Sequence, residues 1–383
     1  MIGITKLLCN VASSGDDLRY RESVHGRPVV VWNLTRHCNL HCLHCYAEAQ
    51  GRASPQELST QEGKALIDDL AGFGVPVLLF SGGEPLIRPD LLELAAHASE
   101  RGIRAVVSTN GTLITPHMAR ELKAANIAYV GVSLDGLKET NDRFRGKKGA
   151  FQEALAGLRH CREAGLRAGL RFTVTRHNYR EIDSIFDLVE EEDIPRLCFY
   201  HLVYAGRGSE LVAADLSREE TRGVMDLIFH RTLDLHRRGI SKDILTVDNH
   251  ADGVYLYLRV KRDGPDRAEK VYRLLEWNGG NSSGVGIAAI DHLGEVHPDQ
   301  FWRHYSLGNV RNRHFSQIWQ DTSEPLLAGL RKRKAMVKGR CARCHYLNLC
   351  GGNFRVRAEA VYSDVWAPDP ACYLTDEEIG IAS

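Results

Sequence analysis

The chain carries no excess of charge in either direction. Lys+Arg and Asp+Glu both number 49 among 383 residues, so nothing in the balance calls for nucleic acid or an anionic membrane as a partner. No run approaches the ~20 apolar residues needed to span a bilayer. The opening Met1-Ile2-Gly3-Ile4-Thr5-Lys6-Leu7-Leu8-Cys9 lacks the basic start and long apolar region of a secretory signal. Leu7-Leu8-Cys9 has the look of a lipoprotein cleavage site, but too few residues precede it to hold such a signal. These absences predict a soluble cytoplasmic protein, with no nucleic acid and no membrane among its partners. They also remove disulfides as the default use of ten cysteines, because intracellular thiols stay reduced. The length suggests two or three domains with a substantial core.

The cysteines that are present are clustered. Cys38, Cys42 and Cys45 fall within Thr35-Arg36-His37-Cys38-Asn39-Leu40-His41-Cys42-Leu43-His44-Cys45-Tyr46, and Cys341, Cys344, Cys350 and Cys372 lie near the C-terminus. Cys9, Cys161 and Cys198 are scattered. The first set follows the apolar run Val29-Val30-Val31-Trp32, so a strand delivers three thiols to one short loop. Thiolates are soft ligands that suit iron–sulfur clusters, zinc or copper(I). Three ligands leave one metal position open, whereas a structural zinc site takes four. The C-terminal set can close a site completely, and four cysteines suit zinc as well as a cluster.

Between the two sets the pattern repeats. Nearly continuous apolar runs occur at 29–34, 75–81, 105–108, 129–134, 169–175 and 197–204, as expected for parallel strands covered on both faces. Helix-like stretches alternate with them near 60–72, 90–101, 116–125, 149–164, 181–192 and 217–238. Phe151, Ala154, Leu155 and Leu158, for instance, make one apolar face. Six strand–helix units predict a parallel sheet with right-handed crossovers, an α/β partial barrel of (β/α)6 type. Chemistry in such sheets gathers at the C-terminal strand ends.

Those ends read Ser81-Gly82-Gly83-Glu84-Pro85, Ser108-Thr109-Asn110-Gly111, Ser133-Leu134-Asp135-Gly136 with Arg143-Phe144-Arg145 beyond, and Tyr200-His201-Leu202-Val203-Tyr204-Ala205-Gly206-Arg207-Gly208. Each also works as a plain turn. Paired glycines let a ligand approach the backbone, and Glu84 can accept hydrogen bonds from an ammonium group. His201 could coordinate an iron, orient a substrate or be a satisfied core histidine. Asp248-Asn249-His250 forms another polar knot in a mixed-charge region, 239–281. Beyond it, 286–298 reads as a β-hairpin and 314–319 as a helix.

The C-x3-C-x2-C loop, with an aromatic after the last cysteine, resembles the signature of radical S-adenosylmethionine (SAM) enzymes. The resemblance implies a TIM-like radical SAM barrel. It also implies a 4Fe-4S cluster on Cys38, Cys42 and Cys45, whose open iron chelates SAM and whose electron yields a 5′-deoxyadenosyl radical. Gly82, Gly83 and Glu84 match the motif that binds the SAM amine. Ser108, Asn110, Ser133 and Asp135 fall at the SAM rim, with Arg145 for its carboxylate. An open cluster implies an anaerobic setting and a flavodoxin- or ferredoxin-type electron donor. The set Cys341, Cys344, Cys350 and Cys372 resembles SPASM and twitch extensions, which implies a small C-terminal domain with an auxiliary 4Fe-4S cluster. Ser282, Ser283 and Asp299 stand where a second auxiliary cluster would draw cysteines, so one is expected.

Further segments point to one branch: Trp32-Asn33-Leu34-Thr35-Arg36, His297-Pro298-Asp299-Gln300-Phe301-Trp302, Cys350-Gly351-Gly352-Asn353 and Trp366-Ala367-Pro368-Asp369-Pro370-Ala371-Cys372-Tyr373. They are similar to the radical SAM enzymes of siroheme-derived haem and haem d1 synthesis, the didecarboxysiroheme deacetylases among them. That implies an iron-containing tetrapyrrole substrate, 12,18-didecarboxysiroheme, which loses its acetate groups to give iron-coproporphyrin III. Removal of propionates on the haem d1 route is the alternative. Peptide maturation, common among SPASM proteins, would want an N-terminal recognition domain, for which 1–27 looks too short. Arg207, Arg355 and Arg357 are expected to meet substrate carboxylates, and His201 or His250 its iron. The expected division is 1–27 as an N-terminal segment, 28–238 as the radical SAM core, 239–281 as a connection and 282–383 as the auxiliary-cluster domain.

Overall fold

The computed structural model describes residues 1–12, 15–20 and 27–381. Parts of the expected N-terminal segment (13–14 and 21–26) and the last two residues lie outside them. One mixed sheet of eleven strands organises the described chain. In chain order these are β1 (Ile2–Gly3), β2 (Val29–Asn33), β3 (Val77–Ser81), β4 (Arg104–Thr109), β5 (Tyr129–Ser133), β6 (Ala168–Val174), β7 (Arg196–His201), β8 (Asp243–Val247), β9 (Ile287–Ile290), β10 (Glu295–His297) and β11 (Gly308–Asn309). Their order in space is β1-β8-β7-β6-β5-β4-β3-β2-β9-β10-β11. From β2 to β8 every neighbour is parallel, as the apolar runs predict.

The sheet is an open barrel rather than a closed one, and its pairing shows why. The free edge of β2 is taken by β9, parallel, with Val29 opposite Ile287 and Trp32 opposite Ile290. The antiparallel β9–β10 pair is the expected hairpin, and β11 extends it. At the other edge β1 runs antiparallel to β8. The C-terminal extension therefore continues the core sheet instead of hanging from it.

Region 239–281 differs from the expected connection. It holds β8 and the helices Ala251–Asp263 and Ala268–Asn278, a seventh strand–helix unit. Its strand is only five residues long and includes Asp243 and Thr246, which hid it among charged neighbours. The crossover helices have ordinary local causes. Ser59 and Glu62 form a reciprocal capping box for Thr60–Phe73, as Ser217 and Glu220 do for Arg218–Arg237. Phe151, Ala154, Leu155 and Leu158 are all buried on one face of Ala150–Glu163. No helix among the described residues is long and apolar enough to cross a membrane.

Candidate active site

The cysteine loop leaves β2 and is stapled from three sides. The Gly83 and Glu84 amides donate to the carbonyls of Thr35 at 2.7 Å and His37 at 2.8 Å. The His41 and Leu43 amides donate to Arg145 at 3.2 Å and Phe144 at 3.0 Å. The Arg207 side chain donates from Nε to the Cys42 carbonyl at 2.9 Å and from Nη1 to the Ala49 carbonyl at 3.2 Å. Glycine is required at these seams. A Cβ on Gly83 would meet the His37 carbonyl oxygen at 2.2 Å, and one on Gly206 the Tyr46 carbonyl oxygen at 2.5 Å. The sequence reading reserved the close approach at Gly82–Gly83 for a ligand, but the backbone that comes closest is the cysteine loop itself.

Cys38, Cys42 and Cys45 line one open cavity of about 1100 Å³, solvent in its mouth included. Gly82, Gly83, Ser108, Asn110, Ser133, Arg145 and His201 line it too. Two residues expected to meet SAM, Glu84 at its amine and Asp135 at the rim, do not. The Glu84 carboxylate accepts from Thr109 Oγ1 at 2.7 Å, the Asn110 amide at 2.8 Å and the Leu86 amide at 3.0 Å. It is fully buried, and burial pushes it up to about 7. Asp135 is also fully buried; it pairs with Arg145 and accepts from the Thr173 amide at 2.6 Å. Both carboxylates brace the wall from behind. Arg145 reaches the cavity and donates to Cys42 Sγ at 3.6 Å. His44, stacked on Phe144 at 4.6 Å, is pulled down to about 4 by burial and is neutral.

The arginines and histidines expected at the substrate divide sharply. Arg207 lines the cavity, with Nη2 buried and unpartnered. Arg355 and Arg357 do not: both are fully buried structural groups. Arg355 donates to the carbonyls of Val365, Ala367 and Gly352. Arg357 pairs with Asp369 at 2.9 Å. His250 is equally structural, buried against Phe354, with Nε2 3.3 Å from the Met1 amine. His201 is different. Its Nε2 lies 2.9 Å from Asp252, whose other oxygen accepts from the Tyr373 hydroxyl at 2.9 Å. Burial lowers its pKa, but the Asp252 carboxylate outweighs this and leaves it above the usual value.

Three cavity residues escaped the sequence reading as functional groups. Arg171 sits on β6, donating to the Tyr200 hydroxyl at 2.7 and 3.0 Å and to Ser108 Oγ. A lone arginine inside an apolar strand was the available signal. Asp248 follows β8, and Gln300 follows β10; both also line the cavity.

The second cysteine set lines a separate room. Cys341, Cys344, Cys350 and Cys372 all face it, among Ala251, Val254, Leu347 and Leu374. Arg340 Nη1 donates to Cys372 Sγ at 3.2 Å, and the Tyr346 amide to Cys344 Sγ at 3.4 Å. Four thiols around one apolar room fit a fully ligated cluster. Three thiols on the wall of a larger cavity fit a cluster with one corner open. Among the described residues, no His, Cys, Asp or Glu group is drawn tightly enough around one point for a single metal ion. Ser283 donates instead to Asp299, and both are buried. Burial pushes Asp299 up to about 6.

Comparison with known proteins agrees with this geometry. A family model described as the radical SAM superfamily matches residues 32–189, and one described as an iron-sulfur cluster-binding domain, SPASM, matches 283–345. The Fe-coproporphyrin III synthase of Methanosarcina barkeri is 60% identical over 99% of this chain and 99% of its own. The pre-heme d1 synthase of Dinoroseobacter shibae is 43% identical over 93% of this chain and 89% of its own. The solved structure of anSMEcpe with bound AdoMet superposes with a TM-score of 0.71 at 18% identity, covering 93% of this chain and 96% of that one.

Proposed function

Since the chain belongs to the radical SAM superfamily and carries a SPASM extension, we propose that it removes the two acetate side chains of 12,18-didecarboxysiroheme, leaving iron-coproporphyrin III. It is a radical SAM enzyme that modifies a tetrapyrrole in haem biosynthesis, and its cofactors are SAM and two 4Fe-4S clusters. The observation that carries the acetate reading is the 60% identity to Fe-coproporphyrin III synthase across nearly all of both chains. Propionate removal in haem d1 formation is the second reading, favoured by the 43% identity to pre-heme d1 synthase.

When bound, SAM and the first cluster supply one-electron cleavage of the sulfonium and with it hydrogen-atom abstraction from carbon. The chain does the rest. Cys38, Cys42 and Cys45 hold that cluster, and Cys341, Cys344, Cys350 and Cys372 hold the other. Gly82, Gly83, Ser108, Asn110, Ser133 and Arg145 receive SAM, while Glu84 and Asp135 fix the walls behind them. Leu79, Leu202, Val203 and Phe301 give the cavity apolar surface that excludes water and suits the face of a macrocycle. His201, held by Asp252, is the histidine presented to the substrate. Residues 28–238 form the radical SAM core and 282–383 the auxiliary-cluster domain. A cytoplasmic location and a flavodoxin- or ferredoxin-type electron donor complete the proposal.

Anaerobic incubation with didecarboxysiroheme, SAM and dithionite tests it. The expected result is 5′-deoxyadenosine whose formation depends on the tetrapyrrole. No 5′-deoxyadenosine above the level without tetrapyrrole would reject the proposal.

A further inference from the structure

One wall of the cavity carries charged and polar groups that have no ion-pair partner among the described residues. Arg171 presents a guanidinium whose partners are Tyr200 and Ser108 hydroxyls, with its carbon 4.7 Å from the Tyr200 ring centroid. No carboxylate among the described residues lies within ion-pair distance of it. Its stem fills the space over Gly131, where a Cβ would stand 2.7 Å from Arg171 Cδ. The arginine is thus built into the strand floor and is not a chance surface cation.

Asp248 lies on the same wall. Tyr200 of β7 sits level with Thr173 of β6 and Val247 of β8, and Asp248 is the next residue after Val247. It is only 5% exposed and lines the cavity; its carboxyl makes no hydrogen bond and no ion pair among the described residues, and the Met1 amine is the charge that acts on it most strongly. Its backbone is left-handed, φ 68°, a conformation that non-glycine residues adopt sparingly and that clusters at functional sites. Gln300, which follows the hairpin and lines the same cavity, has its Oε1 buried without a partner. A carboxyl held mostly inside the protein, without a protein hydrogen bond and facing a cavity, is free to complete the hydrogen bonds of a ligand there.

We propose that Arg171, Tyr200 and Asp248 form a subsite for a carboxylate and that it seats one acidic side chain of the tetrapyrrole. The proposal rests on the tetrapyrrole reading above. The chemistry is that of a carboxylate held between a cation and a neutral acid. Arg171 supplies the charge in a planar fork suited to carboxylate. The Asp248 carboxyl, protonated, donates to the same ligand. The two groups are complementary to one anion, and Arg171 would not by itself explain why Asp248 stays unpaired. Around Asp248 the other titratable or charged groups are the Met1 amine, Arg357, Asp299, Arg171, Tyr200 and His201. Burial keeps its proton up to about pH 7, so the subsite weakens as pH rises above that value. SAM also carries a carboxylate. Its expected seat is beside the cysteine loop after β2, six strands along the sheet from β8, but Arg171 also bonds Ser108 of the SAM rim, so the SAM and tetrapyrrole arms of the test separate the two sources.

Binding to cluster-loaded protein tests this without turnover. Iron-coproporphyrin III is titrated by absorbance and SAM by equilibrium dialysis, at pH 6 and pH 8.5. The proposal expects Arg171→Gln to weaken iron-coproporphyrin III about tenfold or more while SAM binding stays within about twofold. It expects wild-type affinity for the tetrapyrrole to fall between the two pH values. Asp248→Asn, nearly isosteric and still a donor, should bind equally at both. Iron content and melting temperature check that each variant is folded. If Arg171→Gln loses SAM and keeps the tetrapyrrole, the carboxylate is that of SAM and the proposal is overturned, with the tetrapyrrole reading intact. If both folded variants bind the tetrapyrrole as wild type does at both pH values, there is no such subsite. If wild type binds no iron-coproporphyrin III, the tetrapyrrole reading falls and takes the subsite with it.

Discussion

Burial holds the Asp248 carboxyl protonated up to about pH 7, whereas in the unfolded chain it ionises near 3.8. The folded state therefore binds this proton more tightly. Stability from this group is fully present below the unfolded pKa and is lost as pH rises through about 7. About three pH units correspond to a loss on the order of 4 kcal/mol, an upper bound for a buried group. Asparagine carries no such loss. Asp248→Asn should melt above wild type, with a gap that widens between about pH 5.5 and pH 8 by calorimetry. A gap that does not change with pH would show that the carboxyl is not the cause. Gly83 tests the seam of the cysteine loop. Alanine there would clash with the backbone oxygen of His37, which cannot swing away as a side chain can. Gly83→Ala should drop bound iron from about eight to about four per chain, the auxiliary cluster remaining. At this scale the sequence was legible for residues whose chemistry is local. Cysteine spacing and the strand-end serines, Ser108 and Ser133, led straight to the cavity. Glu84 and Asp135 were misdirected because their partners, Thr109, Asn110 and the Thr173 amide, come from other strands. A carboxylate's direction is set by such donors, and they cannot be read from its own neighbours.

Among elements, the six core strands and their helices were readable because parallel strands buried on both faces leave near-continuous apolar runs. β8 was not, since five residues with an aspartate and a threonine resemble a linker. The pairing of β9 with β2 was also invisible, because it joins segments more than two hundred residues apart. That pairing carries Gln300 and Phe301 to the cavity rim, where Phe301 packs edge-on against Tyr46 at 5.2 Å. The C-terminal helices place four thiols around one room, and Cys372 adjoins Tyr373, whose hydroxyl bonds the Asp252 that holds His201. Cys372→Ala should remove the auxiliary cluster and leave the first. Iron analysis should give about four atoms per chain, and dithionite should still cleave SAM. Loss of SAM cleavage in a protein that keeps its four irons would mean the two sites are not separable.

For the molecule as a whole, one continuous sheet joins the SAM-binding core to the extension, so the cavity is walled by both. β2 and β3 hold the cysteine loop, β6 to β8 hold Arg171, Tyr200 and Asp248, and the segment after the hairpin supplies the lining residues Gln300 and Phe301. An open cavity lined both by the three thiols and by Arg171, which has no ion-pair partner among the described residues, suits an acidic substrate alongside a cofactor. Mass spectrometry of the tetrapyrrole after anaerobic turnover tests that account most directly. Didecarboxysiroheme incubated with SAM, dithionite and the two-cluster protein should lose two acetate groups and appear as iron-coproporphyrin III. Recovery of unchanged didecarboxysiroheme, or a product that has lost propionates and kept its acetates, would contradict it.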